Sequence, residues 1–414
     1  MRAASAGVSG AADRRVVITG LGAITPIGVG AEEFAAGLRA GRSGAQPISA
    51  FDTGGFEHTI GCEVVGFDPA SWLVTLDPAE LGRVSRFSAS AARMAVADAG
   101  LTDADLRGRH GLIAIGTTYG ESGDIDRLVG QEVADGGTDP AIARRVNASR
   151  LSVTVAHELG LADVEAVTIP TACAAGNYAV GYGFDAIRDG TAEFALCGGA
   201  DAMCRMSFAA FYRLGAMAPE RCQPFDKNRR GMLTGEGGGV LVLEELAAAR
   251  ARGARIHAEV LGYGLNCDAG HQVAPDSDSV ARCMELALRD GGVKPGDIDF
   301  ISAHGTATKV NDVAEARAIR RVFGDDLPRT VSIKSMIGHT FGAAGALGTI
   351  GCTLAITGGF IPPTINHVET DPECALDCVP NTAVPADLRI VQNNALAFGG
   401  NNAVVVLGRV EERR

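Results

Sequence analysis

The chain has 414 residues, 46% hydrophobic and 21% charged, with a net charge of −12. This balance belongs to folded globular chains, not disordered ones, and the length allows roughly two to three domain-sized units. The acidic balance excludes nucleic acid as a bulk partner but not a local cationic patch.

Ten cysteines without a CxxC pair, the nearest being Cys374 and Cys378, do not make a disulfide scaffold. No His or Cys ligands stand near that pair at metal-binding spacing. A reducing cytosol is the expected compartment. The first 13 residues, rich in Ala, Gly and Ser, predict a flexible tail without the apolar core of a signal peptide. No run reads as the roughly 18 apolar residues of a membrane span.

In chain order, 15–22 (RVVITGLG) reads as a buried strand, 23–30 as a turn and 31–40 as a helix. Gly20-Leu21-Gly22 invites a dinucleotide reading, but the third glycine and the downstream acidic residue are missing at the required spacing. Residues 41–80 read as irregular, 81–99 as a long Ala-rich helix with Arg83, Arg86 and Arg93, and 112–117 as a strand. A polar, Gly-rich stretch at 120–137 predicts a cover over a cleft. A helix over 142–159 leads to the strand Val164–Ile169, and 194–199 predicts another strand. Residues 201–235 read as a loop-rich connection, 240–244 as a strand and 245–252 as a helix. From 256 the order restarts: strand 256–263, helix 279–290, strand 298–303, helix 312–323, Gly-rich helix 342–357 and strand 403–407. Alternating strands and helices in two halves of similar content predict an α/β protein with an internal duplication.

Residues 164–190 combine an apolar β-branched run, a break at Pro170, Cys173 among small residues and a segment with helical spacing. A strand turning sharply into a helix leaves backbone amides unpaired, and with the helix dipole these favour a thiolate. Cys173 is thus expected to have a lowered pKa and to be open to substrate; the competing reading is a buried structural cysteine. Three motifs lie downstream: Ala303-His304-Gly305-Thr306-Ala307-Thr308; SIKSMIGH, ending at His339; and Ala397-Phe398-Gly399-Gly400-Asn401-Asn402. Each histidine sits beside glycine at the expected carboxyl end of a β-like segment, where α/β proteins place their sites. A cysteine with two histidines and Lys334 suits nucleophilic catalysis with a hydrogen-bond-donating pocket for an oxyanion.

On these motifs, with PFDKNRRG, GEGGGVLVLEEL, NDVAE and PPTINHVETDPEC in order, the chain resembles the β-ketoacyl-[acyl carrier protein] synthases. These are condensing enzymes of dissociated fatty-acid and polyketide systems, in the thiolase-like superfamily. The resemblance spans essentially the whole chain. It implies a thiolase-like fold of two similar halves, each a mixed sheet layered between helices, with halves at 14–252 and 253–410. It implies Cys173 as nucleophile, His304 and His339 as donors to the thioester oxygen, and Lys334 as an electrostatic partner paired with Glu315. Amides of Cys173 and Phe398 would form the oxyanion hole. Phe398, with Gly399, matches the gate between acyl pocket and malonyl site, and Thr306 and Thr308 match pantetheine contacts. No cofactor or metal is implied. The partners implied are an acyl carrier protein and a second subunit, either another copy or a chain-length factor. An acidic enzyme needs a local cationic dock for an acidic carrier; Arg83, Arg86 and Arg213 are its candidates.

Two positions depart from the family pattern. Gly348 stands nine residues after His339, where many elongating enzymes carry glutamate, and Ala397 replaces the first glycine of the gate. A Cβ at 397 restricts φ and predicts a stiffer gate. Tyr178 and Tyr182 in the helix after Cys173 also set the chain apart from housekeeping fatty-acid enzymes. These features favour a specialised polyketide, of polyene type, over primary fatty-acid synthesis. The presence of Cys173 disfavours a non-catalytic chain-length-factor role.

Overall fold

The computed structural model describes residues 14–411, so the tail expected at 1–13 lies outside the described residues. Ten strands form the main path of one continuous sheet, with a short eleventh, Gly28–Val29, paired to the first: β1 (Val16–Thr25), β2 (Gly111–Gly116), β3 (Val164–Ile169), β4 (Phe194–Asp201), β5 (Gly237–Glu245), β6 (Ala258–Cys267), β7 (Phe300–Ser302), β8 (Arg329–Val331), β9 (Ile390–Leu396) and β10 (Asn401–Gly408). Their order is β8-β7-β9-β10-β6-β1-β5-β4-β2-β3. Within β1 to β5, β2 is parallel to β3 and β4, and β5 is antiparallel to β4 and β1. The same pattern repeats with β7 parallel to β8 and β9, and β10 antiparallel to β9 and β6. The halves meet where β1 and β6 pair antiparallel. This is the duplicated α/β thiolase-like architecture.

Helices α1 (Ala31–Ala40), α2 (Arg83–Asp98), α3 (Ser122–Asp135), α4 (Arg150–Leu159), α5 (Ala175–Arg188), α6 (Arg205–Arg213), α7 (Ser277–Asp290), α8 (Lys309–Phe323) and α9 (Ala344–Gly358) complete the frame. The α1 boundaries match the sequence expectation because Gly30 and Gly41 take φ of 91° and 61°, which a β-carbon disfavours. Along the strands, alternate residues enter different cores. Leu112 and Ala114 face an inner core with α5 and α9, whereas Ile113 and Ile115 face α2 and α4. In the second half Leu407 and Phe300 join the inner core, and Val406 and Ile301 pack with α7 and α8. Burial on both faces explains the near-continuous apolar strands.

Several expectations need correction. The stretch read as a cleft cover at 120–137 is largely helix α3, despite glycines at 123 and 130. The helix expected over 142–159 is broken into Pro140–Ala143 and α4, with a turn in which the Asn147 side chain accepts the Ser149 N–H at 3.0 Å. Helix α6 lies inside the predicted loop-rich connection, and β1 runs through part of the predicted turn to Thr25. Strand β9 is absent from the sequence reading because Gln392, Asn393 and Asn394 interrupt its apolar pattern although all three are buried. One 18-residue window, Phe341–Gly358, is long and apolar enough to cross a membrane by length and composition. It is 83% buried in the protein, as the central helix shared by both halves.

Candidate active site

Strand β3 ends at Ile169, and a single 3₁₀ turn, Ala172–Ala174, leads into α5. Ala172 takes a φ of 49° there, a left-handed conformation that turns the chain sharply. Cys173 is buried, at 4% exposure, and His339 Nε2 lies 3.0 Å from its Sγ. Burial pushes the thiol up to about 12. The charge of Lys334 and the backbone amides of Cys173 and Phe398 pull it down without overcoming desolvation. The expected resting thiolate is therefore not what the site favours: removal from water outweighs the turn's amides.

His304 follows β7 directly. His339 does not end a strand as expected; a one-turn helix, Lys334–Ile337, separates it from β8. The two imidazoles meet edge to face with ring centroids 5.4 Å apart. His339 Nδ1 accepts the Phe341 N–H at 3.2 Å, so the neutral ring carries its hydrogen on Nε2, toward Cys173. Burial first, then the Lys334 charge, holds both imidazoles well below the usual range, and His339 adds to this at His304. Both rings are neutral at neutral pH.

Lys334 and Glu315 are both buried but form no direct ion pair, contrary to expectation. The Glu315 carboxylate instead accepts the N–H groups of His304 and Gly305, each at 2.8 Å, and the Asn394 amide at 3.1 Å. Glu315 thus shapes the turn that carries His304 and acts on Lys334 only through space. Burial lowers the Lys334 pKa, and Glu315 is the largest influence raising it.

A cavity of about 390 Å³ reaches Cys173, His304 and His339. Thr306 and Thr308 line it, their hydroxyls 2.9 Å apart. Phe398 stands at its wall, 37% exposed, with its ring 5.5 Å from Phe211. Gly399 and Gly400 take φ of 82° and 84°, and the Gly399 N–H is held by the Gln272 carbonyl at 2.8 Å. Ala397 is extended (φ −129°, ψ 152°), a conformation open to any residue, so its β-carbon imposes no backbone strain here.

The three docking candidates separate. Arg213 is exposed at the end of α6. Arg83 donates to the buried Glu236 carboxylate and to the Val64 carbonyl, and Arg86 donates to the Pro78 carbonyl at 2.8 Å. Those two are engaged in bonds within the protein, whereas no such bond occupies Arg213 among the described residues.

Gly348 has a clear structural reason. A β-carbon there would come within 2.4 Å of Asn393 Oδ1. Asn393 donates to Asn177, Gly345 and Thr349, forming a buried amide network between α5 and α9. Asn393 occupies space beside the backbone that a glutamate at 348 would need. Among the described residues no group of three or more His, Cys, Asp or Glu could hold a metal ion. Sequence reasoning missed Asn177, Asn393, Asn394, Phe341 and Asp201. The available signal was polar residues inside otherwise apolar strands, as in QNN at 392–394 and the terminal Asp of FALCGGAD.

The family models for the β-ketoacyl synthase N-terminal and C-terminal domains match residues 13–249 and 257–368. The chain belongs to the β-ketoacyl synthase family. As a β-ketoacyl synthase it is an acyltransferase of the condensing type. It is 36% identical over 411 residues to 3-oxoacyl-[acyl-carrier-protein] synthase 2 of Synechocystis sp., covering 96% of this chain and 99% of the relative. It is 37% identical over 425 residues to the tetracenomycin polyketide synthase ketoacyl synthase alpha subunit of Streptomyces glaucescens, covering 97% and 99%. Among solved structures, the ishigamide ketosynthase/chain length factor aligns with a TM-score of 0.95 and 60% identity over 96% of this chain and 100% of that one. A type II polyketide synthase acyl-carrier protein in complex with its ketosynthase aligns with a TM-score of 0.88 and 32% identity, covering 96% and 100%.

Proposed function

We propose that this β-ketoacyl synthase condenses a Cys173-bound acyl chain with a malonyl group on an acyl carrier protein, in a type II polyketide pathway that makes a reduced, polyene-type chain. The observation carrying the chemistry is the convergence of Cys173, His304 and His339 on one cavity, with His339 Nε2 3.0 Å from the sulfur. Sγ attacks the carrier thioester, the carrier C–S bond breaks and the proton given up by the Cys173 thiol ends on the departing carrier sulfur; amides of Cys173 and Phe398, both directed at the sulfur region, suit the tetrahedral oxyanion. Malonyl thioester then enters, and the two neutral imidazoles donate to its carbonyl oxygen. Breaking the carboxyl bond releases CO₂ and leaves its electron pair as an enolate. The enolate carbon attacks the acyl-cysteine, and collapse expels the Cys173 sulfur and yields the β-ketoacyl carrier. Thr306 and Thr308 would contact the pantetheine arm, Phe398 and Gly399 would gate it, and Lys334 would stabilise the negative charge that passes through the site.

The 60% identity to the ishigamide ketosynthase/chain length factor, against 36% to the Synechocystis synthase, supports the polyketide assignment and a chain-length factor as partner. The likeness to a ketosynthase held with its carrier protein supports the carrier as substrate. A cytoplasmic location fits ten free cysteines. Mass spectrometry of the acyl group trapped on Cys173 from mixed acyl carrier proteins tests the reading. Short or polyunsaturated chains support it, saturated long chains point to primary fatty-acid synthesis, and condensation by a Cys173→Ala protein refutes the nucleophile.

A further inference from the structure

The duplication extends to the elbow itself. Thr171 leads into the 3₁₀ turn Ala172–Ala174 before α5, and Thr340 leads into the same turn, Phe341–Ala343, before α9. Ala172 and Phe341 share the left-handed conformation, with φ of 49° and 51°. Their helices touch in matching places: a β-carbon at Gly176 would meet the Ala346 nitrogen, and one at Gly345 would meet the Asn177 nitrogen. Gly342 therefore occupies, in the second half, the place that Cys173 holds in the first. In the first elbow the nucleophile's own amide faces the sulfur. In the second elbow the equivalent amide is taken by a carboxylate, since Gly342 N–H donates to Asp201 Oδ2 at 2.7 Å.

Asp201 closes β4 and is 1% exposed. It accepts three further bonds: from the Thr117 hydroxyl at 2.8 Å, the Thr118 N–H at 2.7 Å and the Tyr119 N–H at 3.2 Å. Four donors converge on one buried carboxylate, which meets the condition for keeping a charge out of water. The result ties the end of β2 to the turn that carries Phe341. Gly342 must lack a side chain there, because a β-carbon would lie 2.4 Å from Thr117 Cα and 2.7 Å from Asp201 Oδ2. A left-handed non-glycine residue persists only where its surroundings hold it. Phe341 is such a residue, and its N–H is the one that meets His339 Nδ1.

We propose that Asp201 is a positioning residue of the condensation step: by clamping the second elbow it holds the Phe341 N–H on His339 Nδ1 and so keeps the hydrogen of His339 on Nε2. This rests on the reading of His339 as a donor to the enolate. With the other tautomer the ring would present a lone pair to the developing oxyanion and repel it. Asp201 touches neither substrate nor sulfur. Its effect on the His339 tautomer passes through two residues of backbone, beside a through-space effect of its charge that raises the Cys173 thiol pKa.

The test compares full-length Asp201→Ala and Asp201→Asn with the parent protein in three measurements: acyl loading of Cys173, condensation with malonyl carrier protein, and the histidine tautomers by ¹⁵N NMR. Asp201→Ala should lower kcat for condensation about a hundredfold, leave KM for the carrier and acyl loading within a few-fold, and move His339 away from the pure Nε2–H form. Asp201→Asn keeps an oxygen for the Gly342 N–H and should recover most of the lost condensation and the parent tautomer. If Asp201→Ala does not fold, Asp201→Asn with Thr117→Val, which weakens the same clamp further, decides: loss of condensation in step with loss of the Nε2–H form supports the proposal, and an unchanged tautomer and rate overturn it. Condensation lost with the tautomer unchanged, or a changed tautomer with condensation intact, overturns it. Failure of the parent protein to condense at all would instead refute the function on which the proposal rests.

Discussion

His339 sits 3.0 Å from Cys173 with its hydrogen-bearing Nε2 turned to the sulfur, because Nδ1 is already engaged by the Phe341 N–H. A neutral donor beside a buried thiol is an arrangement suited to stabilising charge that appears during reaction rather than charge present at rest. The site is uncharged at the sulfur at rest, because burial outweighs the Lys334 charge and the two amides that favour the thiolate.

The resting state can be read by alkylation. With the Cys173 thiol pushed up to about 12, its rate with iodoacetamide in the absence of substrate should rise about tenfold per pH unit from pH 7 to 9, without levelling off. Lys334 lowers the thiol pKa, so Lys334→Met should move the profile to higher pH and slow alkylation at any given pH. Adduct formation at Cys173 followed by mass spectrometry checks both; a plateau below pH 8 would show a resting thiolate.

Replacing Gly348 with glutamate, the residue many elongating enzymes carry there, should break a packed feature of this chain. Its β-carbon would collide with Asn393 Oδ1 and disturb the Asn177–Asn393–Thr349 network. Overpacking of this kind costs roughly 1–3 kcal/mol, and lost buried hydrogen bonds add to it. Thermal unfolding should show a lowered Tm for Gly348→Glu, partly recovered when Asn393→Gly is added. An unchanged Tm in the single variant would contradict the network.

At the gate, Ala397 and Tyr178 pack against one small cluster of Ala174, Ala395 and Ala403. Ala397 and Tyr178, two of the residues that set this chain apart, thus meet at the root of the loop bearing Phe398. Any stiffness that Ala397 gives the gate must come from this packing, since its φ is one that any residue adopts. Ala397→Gly should cost about 0.5–1 kcal/mol through added backbone freedom and should speed acyl loading while broadening the accepted chain lengths. Competition among carrier-bound acyl groups of different length, read on Cys173, measures this. No change in loading or range would separate Ala397 from gating.

For carrier docking, Arg213→Glu should raise KM for the carrier protein, more at low than at high ionic strength, with kcat little changed. Arg83→Glu should instead lower stability. Removing one partner of a buried pair costs roughly 3–5 kcal/mol, and less here because the Arg83 side chain is 41% exposed while Glu236 is 0%. Steady-state kinetics beside urea unfolding distinguishes the two. A raised KM at full stability in Arg83→Glu would return that residue to the dock.

The strand-helix alternation, the elbow around Cys173 and both histidine motifs were legible because each is local: apolar runs, glycine and proline breaks, and short motifs are written in neighbouring residues. Strand β9 and helices α3 and α6 were not, since buried amides masked the first and glycines or surrounding polar residues masked the others. Site chemistry divided along the same line. By itself, the amino-acid sequence determined the family, the duplicated fold and the side chains that meet at the cavity. Only the tertiary structure decided their charge states and partners: the neutral Cys173 thiol, the His339 tautomer, Glu315 holding a turn instead of Lys334, and Asn393 filling the space beside Gly348. Those properties depend on desolvation and on which backbone and side-chain groups the folded chain brings against each buried site residue, which no local pattern encodes.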